Sequence, residues 1–255
     1  MSVRELFELT DQKAIVTGAG GGIGRGLCAA LTEMGADVAL VDTNRSNMEE
    51  VAEELRRYAR NVIICETDVT KAAQVEGMVS KVLKELGGID ILVNCAGIAR
   101  GAPAEEMKEE DWDSVIDVNL KAMFLCCRAV ARHMIAKRKG KIINIASMSA
   151  RIVNRPQTQI NYNASKAGVV ALTKSLAAEW AKYNINVNSL SPGYILTPLT
   201  RKRGPEYHEK WKSLTPMERL GEVSELKGAV VYLASQASSY MTGHDLVVDG
   251  GYTVW

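Results

Sequence analysis

Lys13-Ala-Ile-Val-Thr17 runs straight into Gly18-Ala-Gly-Gly-Gly22-Ile23-Gly24 and then into the helix-forming Leu27-Cys-Ala-Ala-Leu31. That order, strand then glycine turn then helix, decides the fold. A short β-branched run reads as a buried strand. Glycines let the chain turn tightly and come close to a diphosphate, whose charge is met by the free N–H groups and positive end of the following helix. A glycine cluster alone also fits a plain turn. Its place between strand and helix is what points to a dinucleotide.

Outward from this unit the alternation repeats. Asp37-Val-Ala-Leu-Val-Asp42 is a second strand, and Asp42 follows the glycine turn by about 20 residues, the spacing of the acid that binds an adenosine ribose. Asp42 also suits a cap for the helix that starts near Asn44. Helix 46–58, strand Asn61–Glu66, helix 71–86 and strand Ile89–Asn94 follow. Strands separated by helices predict parallel βαβ units with right-handed crossovers. The expected architecture is α/β, a Rossmann-type, doubly wound, seven-stranded parallel sheet with helices on both faces. Gly18, Asp42, Asp68 and Asn94 fall at the carboxyl ends of strands, where such sheets bind ligands.

Further along, Glu110–Lys137 reads as one amphipathic helix with Trp112, Val115, Ile116, Val118, Met123, Phe124 and Val130 as core candidates and Asn119 in its interior. Strands are predicted at Lys141–Ile145, Ile185–Leu190 and Leu246–Asp249, with a helix over 222–235. The stretch Tyr194–Leu220, with Pro198, Pro205 and Pro216, reads as a mobile lid over the substrate.

Composition narrows the function. No Pro/Gly/Ser-rich linker divides the 255 residues, so one domain over 1–255 is expected. With 31 basic and 30 acidic residues and no basic block, nucleic acid is not an expected partner. The five cysteines lack metal-ligand spacing and read as reduced core residues, and no metal site is expected; His133, His208 and His244 are scattered and carry no catalytic role. Charges interrupt the N-terminal stretch and no run of about 18 apolar residues occurs, so a soluble, cytoplasmic protein away from membranes is expected.

The chemistry is carried by Tyr162-Asn-Ala-Ser-Lys166. Four residues apart on a helix, Tyr162 and Lys166 share a face, and a nearby ammonium lowers a phenol that otherwise titrates near ~10. That would suit Tyr162 to act as a general base, although the pair taken alone also fits a solvated helix face. A hydroxyl upstream would bond the same substrate oxygen, and the strand ending at Ile145 directs Ser147 there, with Ser149 facing the same way. Ser149, Asn154 and Gln157 add polar groups of the kind a hydroxylated substrate needs.

Taken in order, Thr17-Gly18-x-x-x-Gly22-x-Gly24, Asp68-Val69, Asn94-x-Ala96-Gly97, Asn119, the serine after the fifth strand, Tyr162-x-x-x-Lys166 and Pro192-Gly193 resemble the short-chain dehydrogenase/reductase family over the whole chain. The resemblance implies that Tyr162 is the acid/base and that Lys166 anchors the nicotinamide ribose. It also implies that Asn119 holds a water of the proton relay, Asp68 and Val69 flank adenine, and Pro192, Gly193, Ile195 and Thr197 line the nicotinamide. Cys95 stands where the family usually has a second asparagine. The family's usual serine-to-tyrosine spacing points to Ser149, whereas the strand end points to Ser147. Ile152–Gln157, Thr215-Pro-Met-x-Arg219 and Val248–Trp255 further resemble bacterial polyol dehydrogenases of the galactitol type, which implies oxidation of a secondary alcohol on a sugar alcohol with NAD.

Three classes of function follow: an NAD-dependent polyol dehydrogenase, an NADPH-dependent reductase of ketones or 3-oxoacyl thioesters, and a non-enzymatic nucleotide-sensing protein. The Asn119, Ser147, Tyr162, Lys166 set speaks against the third. The small residues Ala164, Gly168, Ala171, Ser175 and Ala178 recur at helical steps, and the family pairs this helix with its symmetry mate. With the apolar Tyr252-Thr-Val-Trp255 terminus they imply a homotetramer.

Overall fold

A computed structural model describes residues 1–255. After α1 (Val3–Phe7), a capped turn held by Ser2 and Glu5, come β1 (Lys13–Thr17), α2 (Gly22–Glu33), β2 (Asp37–Asp42), α3 (Arg45–Leu55), β3 (Val62–Glu66), α4 (Ala72–Leu86) and β4 (Ile91–Asn94). The second half adds α5 (Glu109–Ile116), α6 (Ala122–Lys137), β5 (Gly140–Ile145), α7 (Ile160–Trp180) and β6 (Ile185–Pro192). It ends with β7 (Ile195–Leu196), α8 (Pro198–Arg201), α9 (Pro205–Ser213), β8 (Gly221–Glu222), α10 (Lys227–Ala234) and β9 (Asp245–Val248).

Seven strands form one parallel sheet in the order β3-β2-β1-β4-β5-β6-β9, as the alternation predicts. The chain winds outward from β1 to β3, then restarts beside β1 at β4 and winds the other way. The strand order therefore reverses between β1 and β4, which opens a crevice at their carboxyl ends. Period-2 alternation puts Ile15 on one face and Ala14 and Val16 on the other. The first face packs on α4, α6 and α7 through residues such as Val82, Val130 and Val169; the second packs on α2, α3 and α10 through Leu27, Met48 and Val230. No helix is long and apolar enough to cross a membrane.

Four expectations are corrected or sharpened. The predicted Glu110–Lys137 helix is interrupted by a π-helical segment, Asp117–Lys121, which places Asn119 where the ladder is widened. Trp112 and Phe124 are not core: they are 37% and 41% exposed. The region 194–220, read as a lid, is largely regular in structure. It folds into α8, capped by Thr197, and α9, with β7 paired to β8 across its base. The helix expected over 222–235 begins as a 3-10 turn, Val223–Leu226, before α10.

Candidate active site

A cavity of about 530 Å³ occupies the crevice. Its floor at one end is the β1–α2 turn. Gly18 has φ +67°, and a side chain there would meet the Ala96 backbone at 2.9 Å, so the turn lies flush against the end of β4. The Thr17 hydroxyl secures that contact by accepting from the N–H groups of Cys95 (3.0 Å) and Ala96 (3.1 Å). No side chain caps the start of α2, which leaves its first N–H groups to face the cavity that Gly21 and Gly22 line. These features fit a dinucleotide diphosphate.

Asp42 lines the same end, its carboxylate fixed by the N–H groups of Gly20 (3.1 Å) and Asn44 (3.0 Å). Asp68 and Val69 line the wall after β3. The Thr70 hydroxyl donates to Asp68 at 2.7 Å and holds its carboxyl below the usual range. Only three lining residues carry formal charge: Asp42 and Asp68 at the adenosine end, and Lys166 at the other.

At the far end Ser147, Tyr162 and Lys166 converge with Pro192, Gly193 and Thr197. Lys166 is 4% exposed and its ammonium donates to the Ile145 carbonyl at 2.7 Å; burial pushes it down to about 8. Its Nζ lies 5.6 Å from the Tyr162 ring centroid. Burial dominates at Tyr162 and raises its pKa, with Ser147 acting weakly against that. Burial thus opposes the lowered phenol that the Tyr162/Lys166 spacing predicts, while the lysine's ammonium is held by the Ile145 carbonyl.

Asn119 is fully buried. Its Oδ1 accepts from Ile98 N–H at 2.8 Å, and its Nδ2 donates to Ile98 O (3.0 Å) and Ser165 Oγ (3.1 Å). This clamps the strand-end loop against α7, and Gly97 is where a Cβ would sit 3.3 Å from Asn119 Oδ1. Both polar atoms of the side chain are engaged by protein.

Several expected site residues lie off the cavity. Asn94 sits beneath the floor, where Nδ2 donates to Asn144 Oδ1 (2.9 Å) and Cys127 Sγ (3.2 Å), because its strand register turns it toward α6. Ile195 is core, paired with Gly221. Ser149, Asn154 and Gln157 form a hydrogen-bonded array behind Ser147 rather than a cavity wall. Gly22, Ile23, Gly24, Ala96 and Gly97 line it as expected. Sequence reasoning missed Thr67 and Val118, and it gave no site role to Cys95, whose thiol burial pushes up to about 12. It also missed Leu199, an apolar residue of α8 left 65% exposed at the cavity mouth; its place just after the Thr197-Pro198 cap was the available signal. No cluster of three or more His, Cys, Asp or Glu is placed to hold a metal.

Comparison with known proteins agrees with this geometry. The family profile described as enoyl-(acyl carrier protein) reductase matches residues 18–253. Galactitol 2-dehydrogenase (L-tagatose-forming) of Cereibacter sphaeroides is 44% identical over all of both chains. A short-chain type dehydrogenase/reductase from Mycobacterium marinum superposes with a TM-score of 0.96 at 43% identity over 99% of each chain. A gluconate 5-dehydrogenase from Burkholderia cenocepacia J2315, in complex with NADP and tartrate, gives 0.94 at 39% identity over 100% of each.

Proposed function

This chain belongs to the short-chain dehydrogenase/reductase family and is an NAD(P)-dependent alcohol dehydrogenase or ketone reductase; we propose that it uses NAD and acts on a secondary alcohol of a sugar alcohol or small polyol. The observation that carries the cofactor half is the charge of the cavity. Asp42 stands where a free ribose 2′-hydroxyl would be bonded and a 2′-phosphate repelled, and no lining cation at that end would neutralise a phosphate. Support for the polyol half is the likeness to a galactitol 2-dehydrogenase along the full chain.

A nicotinamide held here by Lys166, Pro192, Gly193 and Thr197 would supply the acceptor for a hydride from the carbon that bears the hydroxyl. The chain's own groups do the rest. Tyr162 exchanges the hydroxyl proton, Ser147 bonds the same oxygen as charge develops on it, Lys166 holds the ribose and adds positive charge beside the phenol, and Asn119 fixes the loop and helix that frame them. Ser147 takes the serine role because it lines the cavity beside Tyr162 and Ser149 does not.

A second reading is favoured by one specific relative: the gluconate 5-dehydrogenase was crystallised with NADP. An NADPH-dependent reductase of ketones or acyl thioesters would share every catalytic group and differ at the adenosine end. Reduction of NAD and NADP by purified protein across hexitols, pentitols, vicinal diols and gluconate, set against oxidation of NADPH by a 3-oxoacyl thioester, separates the two. NAD-linked oxidation of a polyol supports the proposal; activity only with NADPH and an oxo-thioester sinks it.

We also infer a homotetramer. Ala164, Ala171, Ser175 and Ala178 leave one face of α7 exposed and smooth, and Phe124 of α6 is exposed beside it under the guanidinium of Arg128, 5.5 Å from its ring. Gly168 is the exception, packed on Leu120 of its own chain.

A further inference from the structure

Trp211 in α9 and Ser147 in the site lie at the two ends of one hydrogen-bonded chain. The Trp211 indole N–H, which can only donate, gives to Gln157 Oε1 at 3.2 Å, and Gln157 Nε2 gives to the Tyr194 hydroxyl oxygen at 2.9 Å. Asn154 Nδ2 points at that same oxygen, 3.4 Å away. Its Oδ1 therefore faces the other side, where the Ser149 hydroxyl donates at 2.5 Å and Gln159 Nε2 at 3.4 Å. A carboxamide oxygen accepts only. The Ser149 proton is thus committed to Asn154, and the Ser149 oxygen takes the proton of Ser147 at 3.1 Å. Ser149 and Asn154 are 5% and 3% exposed, so bulk water does not compete for these bonds.

We infer that Asn154 and Ser149 are positioning residues that hold the Ser147 hydroxyl proton away from the reacting oxygen, so that Ser147 donates to Tyr162 or to substrate only when its bond to Ser149 gives way. The inference rests on the assignment of Tyr162 as the group that exchanges the proton. No covalent bond changes in this step; hydroxyl protons reorient. For Ser147 to donate to a phenolate or to the oxygen of an alkoxide-like transition state, its bond to Ser149 must break. One hydrogen bond weights that reversal by roughly three- to tenfold. The 194–220 region, in which Tyr194 stacks on Trp211 at 4.3 Å, meets this chain through Gln157 and Asn154.

The titratable groups facing Tyr162 are Lys166 on its own helix and Cys95 from the end of β4. Burial keeps the Cys95 thiol neutral across the working range. Lys166 is not a member of the hydrogen-bonded chain, so a displacement of the apparent pKa on altering Ser149 or Asn154 reports the chain rather than the lysine.

The test is the pH dependence of kcat/KM for NAD reduction, with galactitol or whichever panel alcohol the wild type oxidises, in wild type, Ser149→Ala, Asn154→Leu and the double variant. Each single change frees Ser147 to donate, so the acid limb should move down by roughly half to one unit, a three- to tenfold gain on the acid side relative to each enzyme's own plateau. The double variant should move it no further, because the two residues act as one chain. Ser149→Thr, which keeps the hydroxyl, should restore the wild-type limb. A uniform loss of activity with the limb unmoved overturns the inference, and so does additive behaviour. If Ser149→Ala does not fold, Asn154→Leu reads the same limb. Tyr162→Phe with wild-type turnover would instead mean that the functional reading has failed; an inactive Tyr162→Phe with an unmoved limb removes the chain alone.

Discussion

Lys166 donates its ammonium proton to the Ile145 carbonyl at 2.7 Å while its Nζ stands 5.6 Å from the ring centre of Tyr162, so the two share a helix face without yet forming an activated pair. Burial opposes charge on both: it raises the phenol and lowers the ammonium to about 8. Alcohol oxidation needs the phenolate and ketone reduction needs the phenol. Oxidation should therefore quicken as pH rises through neutrality, by at most tenfold per unit, and reduction should slow. Initial rates in both directions check this, and an oxidation rate that falls with rising pH contradicts it.

Tyr162→Phe keeps the ring and loses the proton. A loss on the order of 10²–10⁴ in kcat is expected, the usual worth of general acid/base catalysis. Thermal unfolding of the variant should stay close to that of the wild type, because the hydroxyl faces a cavity. Loss of activity together with loss of folding would leave catalysis unassigned to this oxygen, whereas full activity would remove Tyr162 from the mechanism.

Asp42→Ala should relax cofactor choice. In the wild type kcat/KM with NAD should exceed that with NADP, and the variant should narrow the gap by raising the NADP value as repulsion is lost. Because Asp42 also accepts from the Gly20 and Asn44 N–H groups, some loss with NAD is expected as the turn loosens. A wild-type preference for NADP refutes the assignment outright.

The sheet and its crevice were legible because glycine, β-branched runs and strand-end polar residues are local signals, and Gly18, Asp42, Asp68 and Gly97 all reach the cavity. What failed was direction. Asn94 is at the right strand end yet its register points it into the helix layer, and Ser149, Asn154 and Gln157 are beside the site yet turned toward one another and Tyr194. The π segment at Asp117–Lys121 leaves the apolar rhythm on either side intact, so periodicity cannot reveal it. Trp112 and Phe124 read as core because an apolar residue on a helix carries no mark of whether its own chain covers it.

Lys141 is 8% exposed at the start of β5, meets no carboxylate, and has Ser238 Oγ as its hydrogen-bond acceptor at 3.3 Å. Burial pushes it down to about 8. The unfolded chain holds that proton up to about 10.4. Between those values the native state binds fewer protons than the unfolded one, so this group's contribution to stability increases with pH there, and below about 8 the cost of burying its charge is fully present. Lys141→Met should accordingly raise the melting temperature most below pH 8, with the gain fading by about pH 10.4. A gain that does not depend on pH would mean that packing, not charge, is what changed.

The last prediction concerns assembly. Val254 and Trp255 are 77% and 76% exposed, with Met217 close by at 63%. The tail is nevertheless fixed: Asp249 accepts from the N–H groups of Gly251 and Thr253 and from the Thr253 hydroxyl, and the Trp255 indole donates to Leu214 O at 3.3 Å. An apolar surface held in one shape pays little ordering entropy on association, which suits an interface between copies better than a free end. The exposed faces of α6 and α7 would supply the other contact of the proposed tetramer. Sedimentation at micromolar concentration should give about four times 27.8 kDa. Phe124→Glu should disrupt one two-fold contact, and deletion of Val254 and Trp255 the other, each leaving dimers. A monomeric wild type refutes both contacts, and a tetramer that survives the deletion confines assembly to the helices.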